Sequence, residues 1–265
     1  MSQLRALTSR AIRGITGRAM RCASRIRYRA LKKFYVRNTD RWQTTSPLIE
    51  SPGCDAPWIF YDETWIHVVH RWKFRAALAR GETVDATDPP RPLSPQINIS
   101  RQGGISVRGE ADSSDKWFYL YLDPELCPWE NYSWKFTMCC TSKFKEIQFA
   151  FRYHDFYNRY RYRFQDNKLS FDMVVNGQFI ADLSSVPCTI EIGHQYDIEI
   201  KVYGNNFECW VDGRLMSQDY DPEHRFPIGP IAVILWEDDG VTPIRMDLSL
   251  ERISELRCMD PMQTR

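Results

Sequence analysis

None of the eight cysteines (Cys22, Cys54, Cys127, Cys139, Cys140, Cys188, Cys209 and Cys258) forms a Cys-x-x-Cys pair. A zinc knuckle and a dithiol redox motif are therefore excluded. The chain has no run of 18 or more apolar residues, so the sequence predicts no spanning helix. The first residues lack the apolar stretch of a secretory signal. No Gly-rich phosphate loop, Walker pattern or Ser-His-Asp order is visible, which removes nucleotide chemistry and triad hydrolysis from consideration. Acidic residues are almost missing from the start of the chain. Residues 1–41 hold twelve Arg or Lys against the single Asp40, a net +11, while the remaining 23 basic and 33 acidic residues give −10. A basic arm on an acidic body calls for an anionic partner: a membrane surface, nucleic acid or the body itself.

What is present is apolar and aromatic. The chain of 265 residues is 43% hydrophobic and 14% aromatic, enough to bury a sizeable core and to exclude disorder throughout. Cysteines scattered inside strands behave as small apolar residues and fit a reducing compartment. The expected location is cytoplasmic, with the arm at the membrane periphery. The Arg-rich, acid-poor composition of that arm is also shared with mitochondrial transit peptides.

Three parts follow along the chain. In residues 1–42, Leu4, Leu7, Ala11, Ile15, Ala19, Cys22, Ile26 and Ala30 recur at steps of three and four, which predicts a basic amphipathic helical arm. Such a helix either lies on an anionic membrane or docks on a protein surface, the acidic body included. Residues 43–56 read as a linker by composition. The segment from Gly81 to Gln96 carries Pro89, Pro90, Pro92 and Pro95 and reads as a loop. Thr64 to Arg80 fits a strand followed by a helical turn at Arg75–Arg80.

From Ile97 onward short strands repeat. Ile147, Phe149, Phe151 and Tyr153 alternate with Gln148, Ala150, Arg152 and His154. Tyr160, Tyr162 and Phe164 alternate with Arg159, Arg161 and Arg163, which places these arginines on solvent-facing positions. Leu169 to Val175 leads into Asn176-Gly177, and Phe207 to Val211 into Asp212-Gly213. Both are hairpin signals. Gly229 to Trp236 is apolar on both faces, as a central strand requires. Alternating antiparallel strands must cover their apolar faces in pairs, so the expected architecture is an all-β, two-sheet sandwich over residues 57–257, followed by a tail at 258–265.

The stretches Trp134–Met138, Phe149–Asp155, Asn158–Phe164, Tyr196–Gly204, Phe207–Gly213 and Gly229–Val233 resemble the central strands of laminin-G-like and 3-keto-disaccharide-hydrolase-type jelly rolls. The likeness runs from about Trp58 to Ile253. It implies an antiparallel, concanavalin A-like jelly roll carrying the basic helical arm. Lectins, glycoside hydrolases, polysaccharide lyases and structural modules all use that sandwich.

Several constellations could carry chemistry. Gln195-Tyr-Asp197-Ile-Glu199 is similar to the Glu-x-Asp-x-x-Glu strand of laminarinase-type hydrolases, with Gln195 in place of the first acid. Asp197 and Glu199 would share one face roughly 6.6 Å apart along a strand. Glycoside hydrolysis needs two carboxylates, one to protonate the leaving oxygen and one to attack or activate water. The alternative is a solvated strand face. Arg152, His154, Asp155, Tyr157, Arg159 and Tyr160 combine rings with planar polar groups, the chemistry of a sugar site, and arginines suit an acidic glycan. The competing expectation has Arg161 and Arg163 pairing across strands with Asp197, Glu199 or Glu208.

Trp236 and Asp238, in Trp236-Glu-Asp-Asp-Gly240, offer a ring and acids for a sugar hydroxyl or for Ca2+, the one cofactor considered. No Asp-x-Asp-x-Asp loop is present, and an Asp-Gly turn accounts for the acids. His67 and His70 lie three apart, on opposite faces of a strand, and read as structural. The leading expectation is a non-catalytic, lectin-like module binding a neutral or acidic glycan, with residues 1–42 docking on an anionic membrane or protein partner and no specific nucleic acid. The alternatives are a glycoside hydrolase of the same fold and a structural scaffold. Two carboxylates across a cleft would favour the enzyme, an aromatic platform the lectin, and a sheet face filled by side chains or by the arm the scaffold.

Overall fold

The computed structural model describes Tyr28 and residues 42–49, 58–64, 97–99, 104–108, 116–122, 126–237 and 245–258. The strand and helical turn expected within residues 65–80, the prolines of 89–95, His67, His70, Cys22, Cys54 and Asp238 lie outside the described residues. So does the helical arm, apart from Tyr28 and Trp42.

Among the described residues, period-two alternation produces fifteen strands: β1 Trp42–Ile49, β2 Trp58–Thr64, β3 Ile97–Ile99, β4 Gly104–Arg108, β5 Lys116–Leu122, β6 Tyr132–Cys140, β7 Glu146–Asp155, β8 Asn158–Gln165, β9 Lys168–Val175, β10 Gln178–Pro187, β11 Gln195–Tyr203, β12 Asn206–Val211, β13 Arg214–Tyr220, β14 Ile231–Glu237 and β15 Arg245–Cys258. They form two antiparallel sheets. One runs β13-β12-β11-β6-β15-β4-β3, with β1 also on β15; the other runs β10-β9-β8-β7-β14-β5-β2. The expected sandwich is what the chain forms.

Between the sheets lies one aromatic-rich core, including Trp134, Phe136, Phe149, Phe151, Tyr160, Tyr162, Phe171 and Phe207. Alternation aims these residues at the opposite sheet. β14 is central, between β7 and β5. Its Ile231, Val233 and Leu235 enter the main core, while Ala232 and Ile234 join a second cluster with Ala150, Tyr153, Phe156 and Tyr157. That explains why the strand is apolar on both faces. The Asn176-Gly177 and Asp212-Gly213 turns form as expected, each with two positive φ angles, 49° and 75° in the first and 49° and 72° in the second. Asp166 and Asn167 make a third such turn without glycine, at φ 53° and 56°. Asn and Asp tolerate this region better than other residues with a side chain.

Two expectations are corrected. Trp42–Ile49, the last residue of the predicted helical arm and the start of the predicted linker, is β1, paired antiparallel with β15 from Trp42↔Cys258 to Ile49↔Ile253. Its register shifts twice around Pro47. An irregular edge strand with an exposed polar run has the composition of a linker. The second correction concerns the arginines. Arg152 and Arg159 are each 0% exposed and Arg161 is 2% exposed, so these positions do not face solvent.

Candidate functional site

Arg152 is inverted by a bulge. Phe151 pairs with Tyr160 and Asp155 with Asn158, so three residues of β7 stand opposite one of β8. The extra length breaks the alternation. Arg152 takes φ 44° and turns inward, its guanidinium 5.7 Å from the Phe207 ring centroid. There it donates to Glu130 O at 2.9 Å, Gly204 O at 2.7 Å and Phe226 O at 3.2 Å. Its own N–H donates to the Tyr132 hydroxyl at 2.9 Å. One side chain thus satisfies carbonyls from three separate segments. Burial pulls the Arg152 pKa down, partly opposed by Tyr132 and Tyr160.

The rest of this sequence-predicted site is similarly engaged. Asp155 accepts from Tyr157 N at 2.6 Å and from Asn158 Nδ2 at 3.2 Å, closing the β7–β8 turn. Tyr157 is buried beneath the next hairpin, with Gly177 N donating to its carbonyl. Arg159 donates to Gln148 Oε1 at 3.1 Å and covers the Phe156 ring at 4.3 Å. Tyr160 donates to Asp221 Oδ2 at 2.7 Å and accepts from Phe226 N at 3.1 Å. Burial raises the Tyr160 pKa, and Asp221 adds to it. Of this group only His154 is exposed, with its ring 5.7 Å from that of Phe226. Trp236 pairs with Glu146 at the other end of β7, about 16 Å along the strand from Phe151. It does not join the same site.

The carboxylates are also held. Asp197 and Glu199 lie on the other sheet, on the outer face of β11. Glu199 accepts from Ser133 Oγ at 2.6 Å and lies 3.8 Å and 3.7 Å from Lys135 and Lys201. The backbone N–H of Asp197 donates to Asp212 Oδ1 at 2.9 Å, and Asp212 N donates to Asp197 O at 2.7 Å, clamping the hairpin end. Glu208 accepts from Tyr203, Trp210 and Gln218.

Arg161 and Arg163 pair with none of these three. They lie in the seven-stranded sheet and bridge Glu146 and Asp172: Arg161 to Asp172 at 3.1 Å and to Glu146 at 3.4 Å, Arg163 to Asp172 at 2.8 Å and to Glu146 at 3.4 Å. Gln148 donates to Glu146, extending the network to Arg159. Among the described residues no group of three or more His, Cys, Asp and Glu gathers as a metal site.

One open cleft sits at the end of the sandwich away from Arg152, with a volume of about 280 Å³. It lies between the β6–β7 loop (Lys143, Phe144, Lys145), the β8–β9 turn (Gln165, Asp166, Asn167) and the β10–β11 loop, with Phe164, Cys188, Ile190 and Ile192 as apolar walls. Cys188 N donates to Asn167 O at 3.0 Å and Lys145 N to Trp236 O at 2.9 Å, so the rim is fixed by backbone bonds. Sequence reading missed the cleft because its walls come from three loops far apart in the chain. The Asp166-Asn167 turn was its one local signal.

The strand order and the packing of two antiparallel sheets define an all-β, two-sheet sandwich. No family model and no curated protein matches the chain. Among solved structures it is similar to carbohydrate-binding module CBM66 from Bacillus subtilis, at 14% identity and TM-score 0.45, covering 58% of this chain and 96% of that one. It is also similar to a family 7 alginate lyase, A1-II′, at 14% identity and TM-score 0.43, covering 62% and 84%. A Bacillus licheniformis β-glucanase gives 14% identity and TM-score 0.42, covering 61% and 81%.

Proposed function

We propose that the chain is a non-catalytic, carbohydrate-associated binding module whose ligand sits in the cleft between Phe144, Lys143, Gln165 and Asn167. The observation that carries the non-catalytic half is the state of the carboxylates. Acid–base glycoside cleavage needs two carboxyl groups facing each other across a substrate. Glu146 and Asp172 are buried and bridged by Arg161 and Arg163, and Glu199 is flanked by two lysines and a serine. The binding half rests on chemistry. The cleft joins aromatic and aliphatic surface to planar amides and lysine ammonium groups, which is what a pyranose with an anionic substituent engages.

A glycan array on the full chain, repeated with Phe144→Ala, Lys143→Ala and His154→Ala, tests this. Selective binding lost in the first two variants and kept in the third is the expected result. Binding lost only with His154→Ala would return the site to the β7–β8 turn. Release of shortened sugars from a bound glycan would make the protein an enzyme.

A second reading, an interaction scaffold, is favoured by the buried ionic network on the outer face of the seven-stranded sheet, a face filled by side chains. No binding to any glycan would support it.

A further inference from the structure

Among the described residues, the basic arm reaches the sandwich at Tyr28, whose surroundings look built to receive it. Tyr28 is 6% exposed. Its ring stacks on Tyr220 of β13, centroids 5.0 Å apart and planes 15° apart, and lies 6.2 Å from Phe171 of β9. It therefore touches both sheets at the edge where β13 approaches β9 and β10.

The polar end of Tyr28 is matched as closely as the ring. Its hydroxyl donates to Asp219 Oδ1 at 2.8 Å and accepts from Tyr220 N at 3.1 Å, while its carbonyl accepts from the Tyr220 hydroxyl at 3.4 Å. Asp219 is 0% exposed and collects hydroxyls from four segments. Oδ1 also accepts from Ser184 at 2.5 Å, and Oδ2 accepts from Ser217 at 2.5 Å and Tyr162 at 3.2 Å. A carboxylate offers about four lone-pair sites. Three of these hydroxyls belong to the sandwich, and the fourth is brought by the arm.

We propose that the niche around Asp219 is a tyrosine-binding site whose occupant is Tyr28 of the same chain, and that this contact latches the basic arm to the sandwich. Ring stacking and shape admit an aromatic side chain. The carboxylate selects a neutral phenol, because it takes a hydroxyl proton and would repel an anionic oxygen. In keeping with this, burial and then Asp219 raise the Tyr28 pKa well above the usual tyrosine value. Phe at position 28 would keep the stacking and lose the recognition. The Tyr28 contact then holds the basic arm near an acidic pair, Asp219 and Asp221.

Trypsin tests the latch on the full chain, because Arg25, Arg27 and Arg29 flank Tyr28. Cleavage after these three arginines is followed by mass spectrometry and normalised to cleavage within residues 126–237. Tyr28→Phe removes both hydrogen bonds of the hydroxyl, the one to the charged Asp219 and the one from Tyr220 N, and is expected to speed the flanking cuts by roughly tenfold or more. Tyr28→Ala is expected to speed them further. If Tyr28→Ala loses the sandwich's circular dichroism, the phenylalanine variant carries the test. Equal rates for wild type and Tyr28→Phe overturn the proposal. It is also overturned if light scattering shows a wild-type dimer that Tyr28→Phe dissolves, because the occupant would then come from a second copy.

Discussion

At the scale of the single residue, Arg152 and Gly229 form a matched pair. The bulge forces Arg152 into a positive φ, and the guanidinium then ties Glu130, Gly204 and Phe226 together. Gly229 runs directly beneath this kink. A Cβ at position 229 would lie 2.8 Å from the Arg152 carbonyl carbon and 2.9 Å from Tyr153 N, and Gly229 itself has φ 140°. All three of the nearest atoms are backbone of Arg152 and Tyr153, so no flexible side chain can move aside. Gly229→Ala is therefore expected to lose about 1–3 kcal/mol from local strain, read as a lower urea midpoint. A midpoint equal to that of wild type would show that the 229 backbone relaxes freely. That Gly229 is a glycine is plain from the sequence; that it must be one depends on a contact across some 76 residues of chain, between 153 and 229.

At the scale of the element, the paired strands β7, β8 and β9 carry charge where alternation predicts solvent. Glu146, Arg161, Arg163 and Asp172 stand on adjacent strands, with Arg161 registered to Asp172 and Arg163 to Gln148. The alternation itself is correct: Tyr160, Tyr162 and Phe164 do fill the core. What alternation cannot report is whether the second face is covered. Here it is, and the ions survive burial by pairing. Removing one partner from a buried ion pair typically costs about 3–5 kcal/mol, because the other charge is left stranded. Glu146→Gln and Asp172→Asn should each approach that loss in chemical denaturation, whereas Glu199→Gln, on the solvated face of β11, should cost less than about 1 kcal/mol. Similar small losses for all three would mean that the network is not shielded from water.

At the scale of the whole molecule, tyrosines join the layers. Tyr28, Tyr132, Tyr160 and Tyr162 all have pKa values raised chiefly by burial, with Asp219 adding to Tyr28 and Tyr162 and Asp221 adding to Tyr160. The folded protein keeps these protons when the unfolded chain has begun to lose them, near the ordinary tyrosine value of 10.0. Their contribution to stability is therefore fully present below about pH 10 and is lost as pH rises toward the folded values. In an alkaline titration, phenolate absorbance should rise in two stages, the exposed tyrosines first. The second stage should coincide with loss of the β-sheet circular dichroism. A single stage near pH 10 with the sheet signal intact would refute this.

The two sheets were legible in the order of residues: alternation placed the core residues, and the Asn-Gly and Asp-Gly pairs placed two of the hairpins, because both depend on neighbours in the chain. The rest depended on contacts between segments far apart in the chain. A bulge inverted Arg152 and put Tyr153 in the second cluster. Packing buried Tyr157, Arg159 and Tyr160, all expected in an open site. An edge strand grew from a linker-like composition because β15 extends far enough to pair with it. Asp219 had no local mark in Ser217-Gln-Asp-Tyr-Asp221, since the hydroxyls that converge on it come from positions 28, 162, 184 and 217. Periodicity records which way a side chain points within its own strand; burial and partnership depend on what the fold brings against that strand.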